Sequence, residues 1–199
     1  MIIVDCDQRS DQWYKERLGK PSSSRFDEIL TSTGLVSKSR QGYMYELAAQ
    51  RISGLSPENY TSAAMEEGIQ REEESRQLYS MIHDVEVRQV GMIFPDEQKL
   101  FLCSPDGIRN DDIGLELKNV LPKTQVEYLL AKKLPVKYFC QIQGSLLVTG
   151  FDRWDFLSYS PGLPPFIIEC HRDEEWISKC EKELNAFNDE LSELVKKIA

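Results

Sequence analysis

A chain of 199 residues with 24 lysines and arginines against 33 acidic residues carries a net charge of −9. That balance argues against a simple basic protein that coats nucleic acid. The length suits one domain, residues 1–199, with a core of its own, and no stretch of about 18 apolar residues offers a membrane span.

The N-terminus, Met-Ile-Ile-Val-Asp-Cys-Asp, has neither a basic region nor a long apolar run. It reads as a short strand over 2–4 rather than a secretory signal. Ser10 is placed to cap a helix carrying Trp13, Tyr14 and Arg17, which Gly19 stops. Pro21 with the serines at 22–24 opens a second helix that runs to about Leu30. Residues 31–42 are polar and loop-like. With Lys38 and Arg40 they read either as a mobile DNA-contacting loop or as a plain connector. A helix follows over 43–52, then a Ser56-Pro57-Glu58-Asn59 turn, then a long helix over 61–79. Glu66, Glu67, Glu72, Glu73 and Glu74 crowd that helix, and such a run is ordinarily a solvated face.

Apolar and polar residues alternate over 84–94, which predicts a strand. Asp96 to Lys99 is a hairpin turn, and 100–104 and 113–120 are the next two strands. Thr124 caps a helix through Lys133. Another helix spans 135–148 and carries Gln141 and Gln143. Strands over 153–159 and 166–171 are joined by Pro161-Gly162-Leu163-Pro164-Pro165. From Asp173 onward Trp176, Cys180, Leu184, Phe187, Leu191, Leu194 and Ile198 recur at threes and fours, an amphipathic helix whose stripe packs on the chain's own core or on a partner helix. The order predicts an α/β fold with a mixed central sheet flanked by helices. The five cysteines form no Cys-x-x-Cys pair, so reduced thiols in a cytoplasm are expected. His83 and His171 are isolated and read as ordinary histidines.

The densest chemistry lies between Cys103 and Lys118. Asp106 sits between proline and glycine, where the backbone turns sharply. If 113–120 is a strand, Glu116 and Lys118 share one face, and Leu115 and Leu117 take the other. Separately, a Glu-x-Lys pair is usually solvated and Pro-Asp-Gly is usually a turn. Together they place two carboxylates and an ammonium at the end of a hairpin. Stacked like charges are costly without a cation, and hard cations choose oxygen ligands, so the composition suits magnesium.

Pro105-Asp106 with Glu116-Leu117-Lys118 looks like the PD-(D/E)XK nuclease signature. The wider string Cys103-Ser104-Pro105-Asp106-Gly107 with Gly114-Leu115-Glu116-Leu117-Lys118 resembles the lambda exonuclease (YqaJ-type viral recombinase) family. So do Trp13…Arg17-Leu18-Gly19 with Ser22 and Ser24, Met65-x-x-Gly68-x-x-x-Glu72, and Gln141. The resemblance runs from Trp13 to about His171. It implies a restriction-endonuclease-like core and a magnesium-dependent, processive 5′→3′ exonuclease on linear double-stranded DNA. Mononucleotides and a 3′ single strand would be its products, for phage-type recombination by strand annealing. It also implies that manganese substitutes for magnesium, a homotrimeric ring, a single-strand annealing protein as partner, and the host cytoplasm as location if the gene is phage- or prophage-borne.

By the same resemblance, Asp106 and Glu116, with the Leu117 carbonyl and Glu72, hold one or two metal ions. Lys118 serves the attacking water and Gln141 orients it, with Gln143 as a companion candidate. Arg17, Ser22, Ser24 and Ser104 hold the 5′ phosphate. Met65 matches an apolar wedge at the site's mouth in character, though a core residue is its plainer reading. Lys123 is the nearest counterpart of a basic residue whose position it does not match. Two alternatives stay open: a structure-selective endonuclease of the same superfamily, and a catalytically silent DNA-binding scaffold. Intact Asp106, Glu116 and Lys118 argue against the second.

Overall fold

The computed structural model describes the backbone of residues 1–55 and 63–199 and the side chains of 1–55 and 71–199. Its strands are β1 (Ile2–Val4), β2 (Val87–Arg88), β3 (Met92–Phe94), β4 (Gly107–Arg109), β5 (Ile113–Asn119), β6 (Arg153–Tyr159) and β7 (Phe166–His171). Five of them form the central sheet in the order β2-β4-β5-β6-β7, in which only β5 and β6 run parallel. β1 and β3 pair separately as an antiparallel ribbon. The helices are α1 (Asp11–Arg17), α2 (Arg40–Ser53), α3 (Ala63–His83), α4 (Pro122–Ala131), α5 (Phe139–Thr149) and α6 (Glu174–Ile198). This is the mixed α/β architecture expected from the order of elements, with helices added at the N-terminal side and a long helix at the end.

Period 2 sorts the strand residues onto two faces. Leu115, Leu117 and Leu157 meet Tyr79 of α3 on one side. Trp154 and Phe156 join the large core on the other, with residues from α2, α5 and α6. The α6 stripe is part of that core: Trp176, Cys180, Leu184, Phe187 and Leu191 are all buried. Asp173 caps this helix, its carboxylate accepting from the Trp176 N–H at 3.0 Å. The stripe therefore covers the chain's own interior as far as Leu194, while Ile198 at its end is exposed.

Gly114 sits where β5 passes against Trp154, so close that a Cβ would overlap the atoms of the indole ring. Trp154 is fully buried, so the ring would have to shift within a packed core. Gly114→Ala is expected to destabilise the fold by about 1–3 kcal/mol, the usual cost of overpacking a tight core. Thermal unfolding checks this; an unchanged midpoint would mean that the indole moves freely.

Several boundaries differ from the sequence reading, each for a local reason. The helix expected over 21–30 is a short 3-10 segment, Ser23–Glu28, with Arg25 out of helical conformation. Its start is held to the neighbouring strand instead: Ser22 bridges Leu102, and Ser23 N–H donates to the Leu102 carbonyl at 2.9 Å. Helix α2 begins at Arg40, so Arg40 is helical rather than part of a loop. The strand expected over 84–94 breaks in two. Gly91 N–H donates to the Val4 carbonyl, which pulls β3 out of the central sheet and onto β1. The Asp96–Lys99 turn is present, with Gln98 N–H donating to the Asp96 carboxylate at 2.8 Å. The segment after it makes only isolated bridges, Leu102 to Ser22 and Cys103 to Ile93. The antiparallel partner of β5 is β4, in the interval read as polar turn. Helix α4 opens with Pro122 in its first turn behind Leu121, not with Thr124 as cap. The Ser56–Asn59 turn lies outside the described residues.

Candidate active site

The β4–β5 hairpin builds the centre. Gly107 pairs with Leu115, so one step back Asp106 comes level with Glu116. The turn is tied into β5 twice. Asp106 N–H donates to the Leu115 carbonyl at 3.1 Å, and Leu117 N–H donates to Asp106 Oδ2 at 2.7 Å. Glu116 faces away from the leucines and is only 2 % exposed. Its Oε1 accepts from Gln141 Nε2 of α5 at 2.7 Å and pairs with the Lys118 ammonium. Asp106, Glu116, Lys118 and Gln141 are thus brought to one place.

The electrostatics follow from that packing. Burial first, and then the Glu116 and Glu72 carboxylates, push the Asp106 carboxyl well above its ordinary range against the pull of Lys118. Burial works against the charge on Lys118, but Glu116 and Asp106 outweigh it and hold the ammonium above its usual range. Tyr138 flanks this ammonium, which lies 5.4 Å from its ring centroid. The sequence reading missed Tyr138. The signal was its place one helical turn before Gln141.

Glu72 reaches the site from α3, but both its oxygens lie beside arginines. Oε1 is 3.5 Å from Arg76 and Oε2 is 3.2 Å from Arg9. Among the described residues, no three acidic, histidine or cysteine side chains gather closely enough to hold a metal by themselves. The donor set that fits a hard cation is the facing pair Asp106 and Glu116, whose mutual repulsion a divalent ion would relieve. Magnesium usually takes one or two carboxylates and completes its shell with water and substrate phosphate.

The expected phosphate holders divide. Arg17 and Ser22 line a common cavity of about 30 Å³, together with Tyr14, Lys20, Arg25 and Tyr43. Ser24 is exposed, with its hydroxyl 3.1 Å from that of Ser22. Ser104 stands apart: it donates to the Gly91 carbonyl at 2.6 Å and accepts from the Trp13 indole at 3.0 Å. Trp13 connects the two groups, because the Arg17 guanidinium lies 4.1 Å from its ring centroid. Lys20 and Arg25 were not among the sequence candidates. Arg25 is bidentate to Glu46, at 2.5 and 2.8 Å.

The remaining candidates lie elsewhere. Gln143 joins β7 to α6, donating to the His171 carbonyl and accepting from Asp173 N–H, both at 2.8 Å. It does not accompany Gln141. Arg40 is bidentate to Glu190 of α6, at 2.6 and 2.9 Å, an ion pair between helices. Lys38 and Lys123 are exposed, Lys123 in the first turn of α4. The Met65 side chain lies outside the described residues.

Comparison with known proteins agrees with this fold. The sequence model of the YqaJ-like viral recombinase domain matches residues 12–152. An alkaline exonuclease from Laribacter hongkongensis superposes with a TM-score of 0.84 at 31% identity, over 95% of this chain and 96% of that one. The same enzyme in complex with dAMP gives a TM-score of 0.84 at 32% identity, over the same shares of the two chains. A phage-related exonuclease from Haemophilus somnus 129PT superposes with a TM-score of 0.68 over 90% of this chain and 96% of that one; at 12% identity it speaks for the fold alone. No curated protein sequence matches. Among the described residues, no helix is long and apolar enough to cross a membrane.

Proposed function

The chain belongs to the family of YqaJ-like viral recombinase domains, and from that premise we propose that it is a 5′→3′ exonuclease on linear double-stranded DNA. The observation that carries the reading is the facing pair of Asp106 and Glu116, with Lys118 and Gln141 on Glu116. The likeness to an alkaline exonuclease seen with dAMP supports it.

The roles follow from the chemistry of each group. Asp106 and Glu116, with the Leu117 carbonyl and with Glu72 behind them, would hold one or two magnesium ions, or manganese in their place. When bound, such ions stabilise charge on the attacking and leaving oxygens of a phosphodiester. The charged Lys118 offsets the phosphate's charge and favours the ionised form of a water beside it. Gln141 fixes Glu116 and offers its amide to the same water. Arg17 and Ser22, with Ser24 at the rim, supply a guanidinium and hydroxyls to a terminal phosphate. We further propose a homotrimeric ring and a single-strand annealing protein as partner, with 3′ single strands as the product they share.

The test is digestion of end-labelled linear duplex in magnesium, with closed circular duplex alongside. Release of mononucleotides from the 5′ end is expected. Cutting of the closed circle would favour a structure-selective endonuclease instead.

The phosphate pocket makes a separate prediction. Ends carrying a 5′ phosphate should be digested faster than 5′-hydroxyl ends by about tenfold or more, since hydrogen bonds to a charged group contribute roughly 1.5–3 kcal/mol. Arg17→Ala should erase the difference. Equal rates on both ends for the native enzyme would remove the pocket from the reading.

A further inference from the structure

The Pro105–Asp106 turn is anchored from outside the hairpin as well as from β5. Arg76, one helical turn beyond Glu72 on α3, is only 6% exposed. Its Nε donates to the Asp106 carbonyl at 2.8 Å. Nη2 lies 3.5 Å from Glu72 Oε1, and Nη1 pairs with Glu73. One planar guanidinium therefore serves three acceptors in a fixed arrangement, which its rigid fork of donors imposes and a lysine's rotatable ammonium does not.

A second set of contacts closes on the same turn. Gln8 Nε2 donates to the Pro105 carbonyl at 2.9 Å and to the Val90 carbonyl at 3.0 Å. The next residue, Arg9, has a left-handed backbone, φ 67°, which is uncommon for a residue with a side chain. That turn of the chain carries its guanidinium to Glu72 Oε2, at 3.2 Å. Glu72 is thus clasped from two sides, and the Asp106 backbone is held at both its N–H and its carbonyl.

We infer that Arg76 is a positioning residue, fixing the Asp106 turn and Glu72 relative to each other so that Asp106 meets its cation in one geometry. A plain structural strut would need only one strong contact between α3 and the hairpin. Arg76 instead spends its buried fork on the main chain of one acidic site residue and the side chain of another. Groups that orient metal ligands from behind commonly change metal affinity about 10–100-fold when removed. The inference rests on the metal-site reading above.

The experiment is Mn2+ titration of the full-length, DNA-free protein by calorimetry, with thermal melting alongside. The variants are Arg76→Lys, Arg76→Met and Asp106→Asn. Native protein should bind Mn2+ and Asp106→Asn should not. Both Arg76 variants should fold and bind Mn2+ about tenfold or more weakly. Arg76→Lys should fail alongside Arg76→Met, because charge alone does not hold two acceptors in register. Native-like Mn2+ affinity in the Arg76 variants, with only a lower melting point, overturns the inference and leaves the metal site standing. So does failure of both to fold, which would make Arg76 a structural support. Native protein that binds no Mn2+ overturns the metal-site reading and the inference with it.

Discussion

Digestion of linear duplex should be abolished in Asp106→Asn and in Glu116→Gln, with losses on the order of a thousandfold or more. The two carboxylates are not redundant. Asp106 leaves the turn, and one of its oxygens is already committed to the Leu117 N–H at 2.7 Å. Glu116 leaves the strand and already accepts from Gln141 at 2.7 Å. Neither can move to cover the other's position. The amides are better probes than alanine. Glu116 is buried, and truncating it would remove the acceptor of both the Gln141 amide and the Lys118 ammonium, whereas glutamine keeps an oxygen in that place. Asp106→Asn also removes a carboxyl whose ionised form is disfavoured first by burial and then by the Glu116 and Glu72 charges, so this variant should melt no lower than the native chain. An inactive, fully folded Asp106→Asn would therefore report on the loss of a site ligand and not on the fold. Native rates in either amide variant would mean that the site lies elsewhere.

The parts of the site that the sequence made legible are those packed into one short stretch. Asp106, Glu116 and Lys118 stand on a single hairpin, where period 2 and a Pro-Asp-Gly turn already set their relation. Gln141 needed the resemblance, since nothing in its own helix marks it out from Gln143. Only the fold separates them: Gln141 faces β5, and Gln143 faces the end of β7. What could not be read depends on long-range pairing. The 84–94 alternation is real, yet it hides a change of sheet near Gly91, because β1 lies far away in sequence and competes for the second half. β4 was missed for the opposite reason: its short span sits inside a turn-rich stretch with no alternation to see. Arg76 was visible as the residue four beyond Glu72, a helical spacing. Its role was not, because its chief acceptor is a main-chain carbonyl on another element. Gln8 and Arg9 gave no local signal at all.

Lys118→Ala should lower turnover by about a hundredfold or more, the size seen when one preorganised electrostatic donor is removed from a transition state. Binding of metal and of duplex ends should be nearly unchanged. The reason lies in what Lys118 touches before substrate arrives. Its ammonium pairs with Glu116 and rests against the Tyr138 ring, so it is held in place and charged without help from DNA. In the resting protein it therefore shields a carboxylate that a cation would otherwise claim. Removing it leaves Glu116 with Gln141 alone and with more negative charge to offer, so metal affinity should hold or rise. The loss must then appear in the step where charge grows on the phosphate oxygens, and interactions that strengthen there lower turnover rather than binding when removed. Single-turnover rates at saturating metal, set beside Mn2+ titration of the same variant, separate the two. Weak metal binding with native chemistry at saturating metal would instead make Lys118 a support for Glu116 and take it out of the reaction.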